Sequence, residues 1–165
     1  MTPDFKKKME LLAQSKRQKD EDNARIAQDA AQRRREIETS SIQQFNEVKR
    51  TAIQPLAKEL NEAFQPTGDK FRLFSNEEAK DLKDRVKTFS QIYYFPKGRS
   101  ESLFGLNTAS VRFECFPNQA EVVVSANTEL RPSYLSEIER VPLSDFDNAK
   151  VESIISDFVS TVTTK

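Results

Sequence analysis

The feature that most constrains this chain is the absence of both proline and glycine from residues 4–54. The same stretch is dense in Ala, Lys, Arg, Glu and Gln, which are strong helix formers. Because nothing in it stops a helix, residues 1–64 are predicted to form one very long helix or two helices in line. A single helix of this length would extend over on the order of 90 Å, at about 1.5 Å per residue.

The two halves of this segment differ in how much apolar surface they can bury. Within residues 42–64, apolar side chains recur at steps of three and four and form one continuous stripe, so this half is expected to join a domain core. Within residues 13–36, Ile26 is the sole large aliphatic side chain. The first half is therefore expected to project freely or to pair with another subunit. The stripe comprises Ile42, Phe45, Val48, Ala52, Ile53, Leu56, Leu60, Ala63 and Phe64.

A heptad seam that starts at Phe5 is apolar at six of its twelve positions, which predicts at most a weak coiled coil. Lys16, Lys19 and Asn23 interrupt it. We expect a homo-oligomer of modest strength, most simply a dimer, and the sequence does not decide whether the helices pair parallel or antiparallel. The predicted oligomer contacts are Phe5, Met9, Leu12, Ile26, Ala30 and Ile37.

The clearest punctuation in the chain is the sequence Gln-Pro-Thr-Gly-Asp at residues 65–69. Proline ends a helix and glycine supplies the conformational freedom of a turn. We therefore predict a long helical segment at residues 1–64, with its second half docked on the domain, and a small α+β domain at residues 65–165.

Within this domain the apolar patterns predict a mainly antiparallel sheet of four or five strands. A short strand at 70–74 is followed by a helix with a capping box from Ser75 to Glu78 and an apolar face that includes Phe89. A strand at 91–95 and a hairpin around Pro117-Asn118 come next. Since proline does not fit the tight hairpin turns, the hairpin loop is expected to be slightly longer than two residues or to contain a bulge.

The last part of the domain contains one ambiguous segment and one clear helix. Residues 130–143 can be interpreted as helix or strand, and a strand near 137–143 is favoured. A C-terminal helix capped by Ser144 or Asp145 is predicted to cover the sheet, since its apolar residues recur at three- and four-residue spacing. The fold class is thus α+β, with a long N-terminal helix, a helix after the first strand and a covering helix at the end.

Composition argues against familiar catalysis. The chain has no histidine, which excludes Ser/His and Cys/His pairs and histidine-based zinc sites. None of the three glycines belongs to a phosphate-binding loop. The single cysteine, Cys115, alternates with Val111 and Phe113 and is expected to be a core residue. We therefore expect no catalytic residue, cofactor or metal, and an enzyme with an unusual histidine-free site ranks third among the functions considered.

Two basic triplets make nucleic-acid binding the second hypothesis, since clustered cations bind phosphates. They comprise Lys6, Lys7, Lys8, Arg33, Arg34 and Arg35. A solvated helix face explains them as well, because adjacent helical residues point in different directions and acidic residues lie near the arginines. The formal net charge is also zero, with 13 basic and 11 acidic residues in positions 1–64.

The leading hypothesis is a non-enzymatic adaptor that associates through its N-terminal helix and binds another protein of unknown identity. No apolar run has the length of a membrane span, so no membrane partner is expected. A lone cysteine suits a reducing interior, which favours a cytoplasmic location. Aromatic residues that are exposed on the sheet would mark a binding surface. The candidates are Tyr93, Tyr94, Phe95, Phe104, Phe113 and Phe116.

Overall fold

A computed structural model describes residues 2–75, 88–99, 101, 108–129 and 134–165. It confirms the α+β class, with a long N-terminal helix, a five-stranded antiparallel sheet and a C-terminal helix. The chain divides into two compact units, Met1–Ile37 and Glu38–Lys165. The boundary predicted near residue 64 is a different kind of boundary, since it states which part of the chain folds independently. It stays a prediction.

The helical segment follows one path through three elements. Helix α1 spans Pro3–Val48, a π-helical turn spans Lys49–Ile53, and helix α2 spans Gln54–Phe64. The π-helical turn explains why Pro55 does not break the path. Proline lacks an N–H and its ring clashes with the carbonyl four residues earlier. In the wider turn, the N–H of Gln54 donates to the carbonyl of Lys49, five residues back.

Helix α2 ends in a short 3-10 turn at Gln65–Thr67, which leads into the predicted turn. Gly68 follows with φ +82°, a left-handed conformation that glycine adopts without steric cost. The hydroxyl of Thr67 donates to the carbonyl of Phe64 at 2.7 Å. The interpretation of this stretch as helix stop and turn is thus confirmed.

The five strands form a meander in which each strand pairs with the next along the chain. Their order in the sheet is therefore their order in sequence, and all pairs are antiparallel. The strands are β1 (Lys70–Ser75), β2 (Thr88–Phe95), β3 (Ala109–Phe116), β4 (Glu121–Asn127) and β5 (Ser136–Pro142). A 3-10 turn at Leu143–Asp145 then leads to helix α3, Asn148–Thr163.

The main core lies on one face of the sheet. The helical segment before the sheet and helix α3 after it both pack there. The apolar stripe of the first helical segment contributes Phe45, Val48, Ala52 and Ile53, and Ala57, which is not part of the stripe, is buried with them. Phe146 stacks on Phe45 with ring centroids 5.8 Å apart. Helix α3 buries the residues predicted from its periodicity, which are Val151, Ile154, Ile155, Phe158, Val159 and Val162.

Two sequence predictions are wrong in detail. Phe89 lies in strand β2 rather than on a helix, Ser75 is the last residue of β1, and residues 76–87 of that predicted helix lie outside the described residues. Helix α3 is capped by Asp147, whose Oδ1 accepts the N–H of Lys150 at 2.8 Å, and not by Ser144 or Asp145. The reason is tertiary: Phe146 is buried, so the chain must insert this ring before the helix can begin.

The predictions for the β3–β4 loop and for the strand in the ambiguous segment are confirmed. The hairpin between β3 and β4 has the longer loop that was expected, with four residues from 117 to 120 and Ala120 at φ +50°. In the ambiguous segment, β5 confirms the strand interpretation for Ser136–Pro142. Strand β2 starts at Thr88, three residues before the predicted strand.

Candidate interaction surfaces

The unit Met1–Ile37, here called the arm, exposes large apolar side chains along one helix. Phe5, Met9, Leu12, Ile26 and Ile37 are 40–63% exposed. Ala30 is exposed as well. These are the predicted oligomer contacts, and their exposure leaves them accessible to a partner. A helix in water that presents apolar residues at this spacing gains free energy by burying them against another surface.

Polar contacts within the arm are local and stabilise only the helix. The amide of Gln18 donates to Asp22 at 3.2 Å, and Arg25 pairs with the same carboxylate at 3.4 Å. Gln32 donates to Glu36 at 3.1 Å. Pairs at this spacing stabilise a helix by a few tenths of a kcal/mol each. They support the helix and do not cover its apolar face.

The two basic triplets do not form one patch. All six residues, Lys6, Lys7, Lys8, Arg33, Arg34 and Arg35, are exposed on α1. The triplets are separated by roughly 40 Å along the helix axis, at about 1.5 Å per residue. At about 100° per residue, the three cations of each triplet also point in different directions. Each triplet is thus a small local concentration of charge.

Helices α2 and α3 of the unit Glu38–Lys165 border an open groove of about 420 Å³. Leu56 and Leu60, one turn apart on α2, supply one apolar wall. Ile155 and Val159, one turn apart on α3, supply the other. Three further lining residues have small side chains, which fill little of the space between the two helices. These small residues are Ala63, Ser156 and Ser160.

The groove also carries negative charge. Glu59 lines it from α2 and Glu152 lines it from α3, and both side chains are exposed. An apolar groove flanked by two carboxylates fits an apolar ligand that carries cations on both sides. Sequence reasoning missed this site, although the spacing of Ser156 and Ser160 on one side of α3 signals a shallow surface there.

Cys115 is 4% exposed and belongs to the core, as predicted. Its Sγ lies 4.0 Å from the carbonyl oxygen of Ser41. Burial raises the pKa of the Cys115 thiol to about 11. Since the thiolate is the reactive form, this environment is the reverse of that of an activated cysteine.

The aromatic candidates that the structure describes do not form an exposed binding surface. Tyr93, Tyr94, Phe95 and Phe113 are all buried, Phe116 is half-buried, and Phe104 lies outside the described residues. The hydroxyl of Tyr94 donates to Asp69 at 3.2 Å, and burial followed by this carboxylate raises the pKa of Tyr94 to about 12. Asp69 also accepts the N–H of Lys97 at 2.9 Å, so this cluster fixes the turn beside β1.

Within the described ranges, no group of three or more His, Cys, Asp or Glu side chains is placed to hold a metal ion. The described helices include none with the length and apolar character that crossing a membrane requires. Comparison with known proteins finds no family model, no curated protein and no solved structure that matches this chain.

Proposed function

We propose that this chain is a non-enzymatic protein–protein interaction protein that self-associates through its N-terminal helix. The observation that carries the proposal is the exposure of Phe5, Met9, Leu12, Ile26 and Ile37 on the arm. A monomer leaves these side chains in water, whereas a second helix removes them from it. Fully burying one such side chain contributes about 1.5–3 kcal/mol, so even partial burial of several supports a dimer.

The polar middle of the arm limits the strength of this association. Lys16, Lys19 and Asn23 fall on the seam between the apolar ends. Burying a charged or amide side chain without a partner costs free energy. We therefore expect association at micromolar rather than nanomolar concentration. An unidentified second protein and a cytoplasmic location are parts of the same proposal, the latter supported by the lone, reduced Cys115.

Sedimentation equilibrium of the full chain over a range of concentrations tests the proposal. The intact chain is expected to shift from monomer to dimer, and the double substitution of Leu12→Asp and Ile26→Asp to hold it as a monomer. Gln14→Asp with Gln28→Asp is the matched control, since it adds the same charge on the opposite side of the helix. A chain that stays monomeric well above micromolar concentration overturns the proposal.

Nucleic-acid binding is separated from this function by a retention experiment. The full chain is applied to immobilised double-stranded DNA and eluted with salt. The proposal expects passage at physiological ionic strength, because the two basic triplets are far apart on a chain of zero formal net charge. Salt-dependent retention that Arg33→Ala with Arg34→Ala removes would replace self-association with nucleic-acid binding as the leading function.

A further inference from the structure

We propose that the groove between α2 and α3 binds the first turns of the arm of a second copy of this chain. The inference rests on the proposed self-association and names the surface that receives the arm. It differs from helix-to-helix pairing of two arms, because the arm here docks on the other unit of its partner. Exchange of arms between two copies gives each groove one arm and closes a dimer with two-fold symmetry.

The first turns of the arm and the groove have complementary apolar surfaces. Phe5, Met9 and Leu12 stand at positions i, i+4 and i+7 of α1 and so share one face. An amphipathic helix that lays such a face into an apolar groove is a recurrent mode of recognition. The groove presents two apolar walls, each of which has a pair of side chains one turn apart. Its volume of about 420 Å³ accommodates apolar side chains rather than a whole helix.

Charge complementarity selects the occupant. Residues 2–19 contain six basic and two acidic side chains, a net charge of +4. At about 100° per residue, Lys6 and Lys8 fall on opposite sides of the face formed by Phe5, Met9 and Leu12, while Lys7 points away from it. The groove carries Glu59 on one wall and Glu152 on the other. Each carboxylate thus faces a lysine when the apolar face is seated.

The two kinds of contact have different roles. Exposed ion pairs are screened by solvent and add little affinity, but they favour one orientation of a docked helix. The apolar contacts supply the affinity. Substitutions that block the groove are therefore expected to weaken self-association strongly, and reversals of single charges to weaken it by less than about tenfold.

The first test blocks the groove in the full chain. Ser156 lines the groove and is exposed, so Ser156→Arg places a long cationic side chain there without disturbing the core. Ser153→Arg, on an exposed position of α3 outside the groove, is the matched control. Sedimentation equilibrium is expected to give a dissociation constant at least tenfold higher for Ser156→Arg and an unchanged constant for Ser153→Arg. Equal constants for both variants overturn the proposal.

The second test exchanges charges across the proposed contact. Lys8→Glu and Glu152→Lys are each expected to weaken the dimer, and the double variant to recover most of the lost affinity. Lys7→Glu combined with Glu152→Lys is the control and is expected not to recover it. Circular dichroism and thermal unfolding of each variant exclude a general loss of structure. The direction of the docked helix decides whether Lys8 or Lys6 faces Glu152, so Lys6→Glu combined with Glu152→Lys is measured as well. Absence of recovery in both double variants overturns the assignment of the arm to the groove.

These outcomes also separate this inference from the proposed function. If Leu12→Asp with Ile26→Asp abolishes the dimer while every groove variant leaves it intact, the arms pair with each other and the groove proposal fails alone. If neither set of substitutions changes the mass, both proposals fail.

Discussion

The side-chain amide of Asn61 pairs with both backbone polar groups of Phe71. Its Oδ1 accepts the N–H of Phe71 at 2.7 Å, and its Nδ2 donates to the carbonyl of the same residue at 2.6 Å. Among the strands that the structure describes, β1 is the first in the sheet order and pairs with β2 alone. The amide of Asn61 thus takes the place of a sixth strand at one residue and ties α2 to the sheet.

Replacing Asn61 by alanine is expected to lower the free energy of unfolding by about 1–3 kcal/mol, because two backbone groups lose their partners in a half-buried site. Urea unfolding followed by circular dichroism measures the change. Gln54→Ala, an exposed amide on the same helix, is the control and is expected to change stability by less than about 0.5 kcal/mol. Equal effects of the two substitutions would contradict the role assigned to Asn61.

Replacement by alanine is expected to change the free energy of unfolding in opposite directions at Ser90 and at Ser110. Ser90 is fully buried, and its Oγ has no hydrogen-bond partner among the described residues. Ser110 is also buried, but its Oγ accepts the amide of Gln91 at 2.9 Å. Ser90→Ala is expected to raise stability by about 1 kcal/mol, and Ser110→Ala to lower it by about 1–3 kcal/mol.

Urea unfolding of the two alanine variants beside the unsubstituted chain decides this prediction. The variants differ only in which serine of two adjacent strands loses its hydroxyl, so each is the other's control. A loss of stability in Ser90→Ala as large as that in Ser110→Ala would show that the Ser90 hydroxyl is satisfied in solution.

Removal of the apolar stripe that precedes the sheet is expected to lower the free energy of unfolding. A chain that begins at residue 39 retains Phe45, Val48 and Ile53, which are at most 9% exposed. A chain that begins at residue 67 loses all three. At about 1.5–3 kcal/mol for each buried side chain, the difference is roughly 5–9 kcal/mol, which is comparable to the whole stability of a small domain.

Urea or thermal unfolding of the two truncated chains provides the measurement. The longer one is expected to unfold cooperatively, and the shorter one to show a weak transition or none. Equal stability of the two would mean that the sheet and α3 form a self-sufficient core, which would support the boundary near residue 64 as a folding boundary.

Cys115 is expected to react slowly with a thiol reagent at neutral pH in the native protein and rapidly in denaturant. The side chain is buried, and its pKa is raised to about 11, so almost no thiolate exists near pH 7. Labelling followed by mass spectrometry measures both rates. Fast labelling without denaturant would contradict a core position.

The same pKa shift predicts a loss of stability in alkali. The thiol has an ordinary pKa of 9.0, so the unfolded chain ionises there while the folded chain stays protonated until about 11. The contribution of Cys115 is complete below pH 9 and is lost between pH 9 and 11, at up to about 1.4 kcal/mol per pH unit. Cys115→Ala should remove this part of the pH dependence while lowering stability at pH 7.

Local sequence signals predict most of the elements but not how they are joined. The proline-free and glycine-free stretch, the turn at Gly68 and the periodicity of α3 each depend on neighbouring residues alone. The cap at Asp147 does not, since it is decided by the insertion of Phe146 beside Phe45.

The groove could not be predicted from the sequence for a related reason. Its two walls come from α2 and α3, which are separated by most of the domain in sequence. The periodicity of each helix shows which face is apolar, but not that small residues leave a gap between them. The arm was simpler to predict, because exposure of Ile26 follows from the polar residues around it.

The amide of Gln44 donates to the carbonyl of Leu143 at 2.8 Å, and these residues are 99 positions apart in the chain. At a synthesis rate of about 5–20 residues per second, roughly 5–20 s pass between translation of the two. During that interval the ribosome has released the stripe around Phe45 with no α3 to complete its core. The apolar side chains of the stripe therefore stay exposed in the nascent chain for a time that is set by the sequence separation of the two helical segments. During this time, chaperone binding or premature aggregation competes with folding.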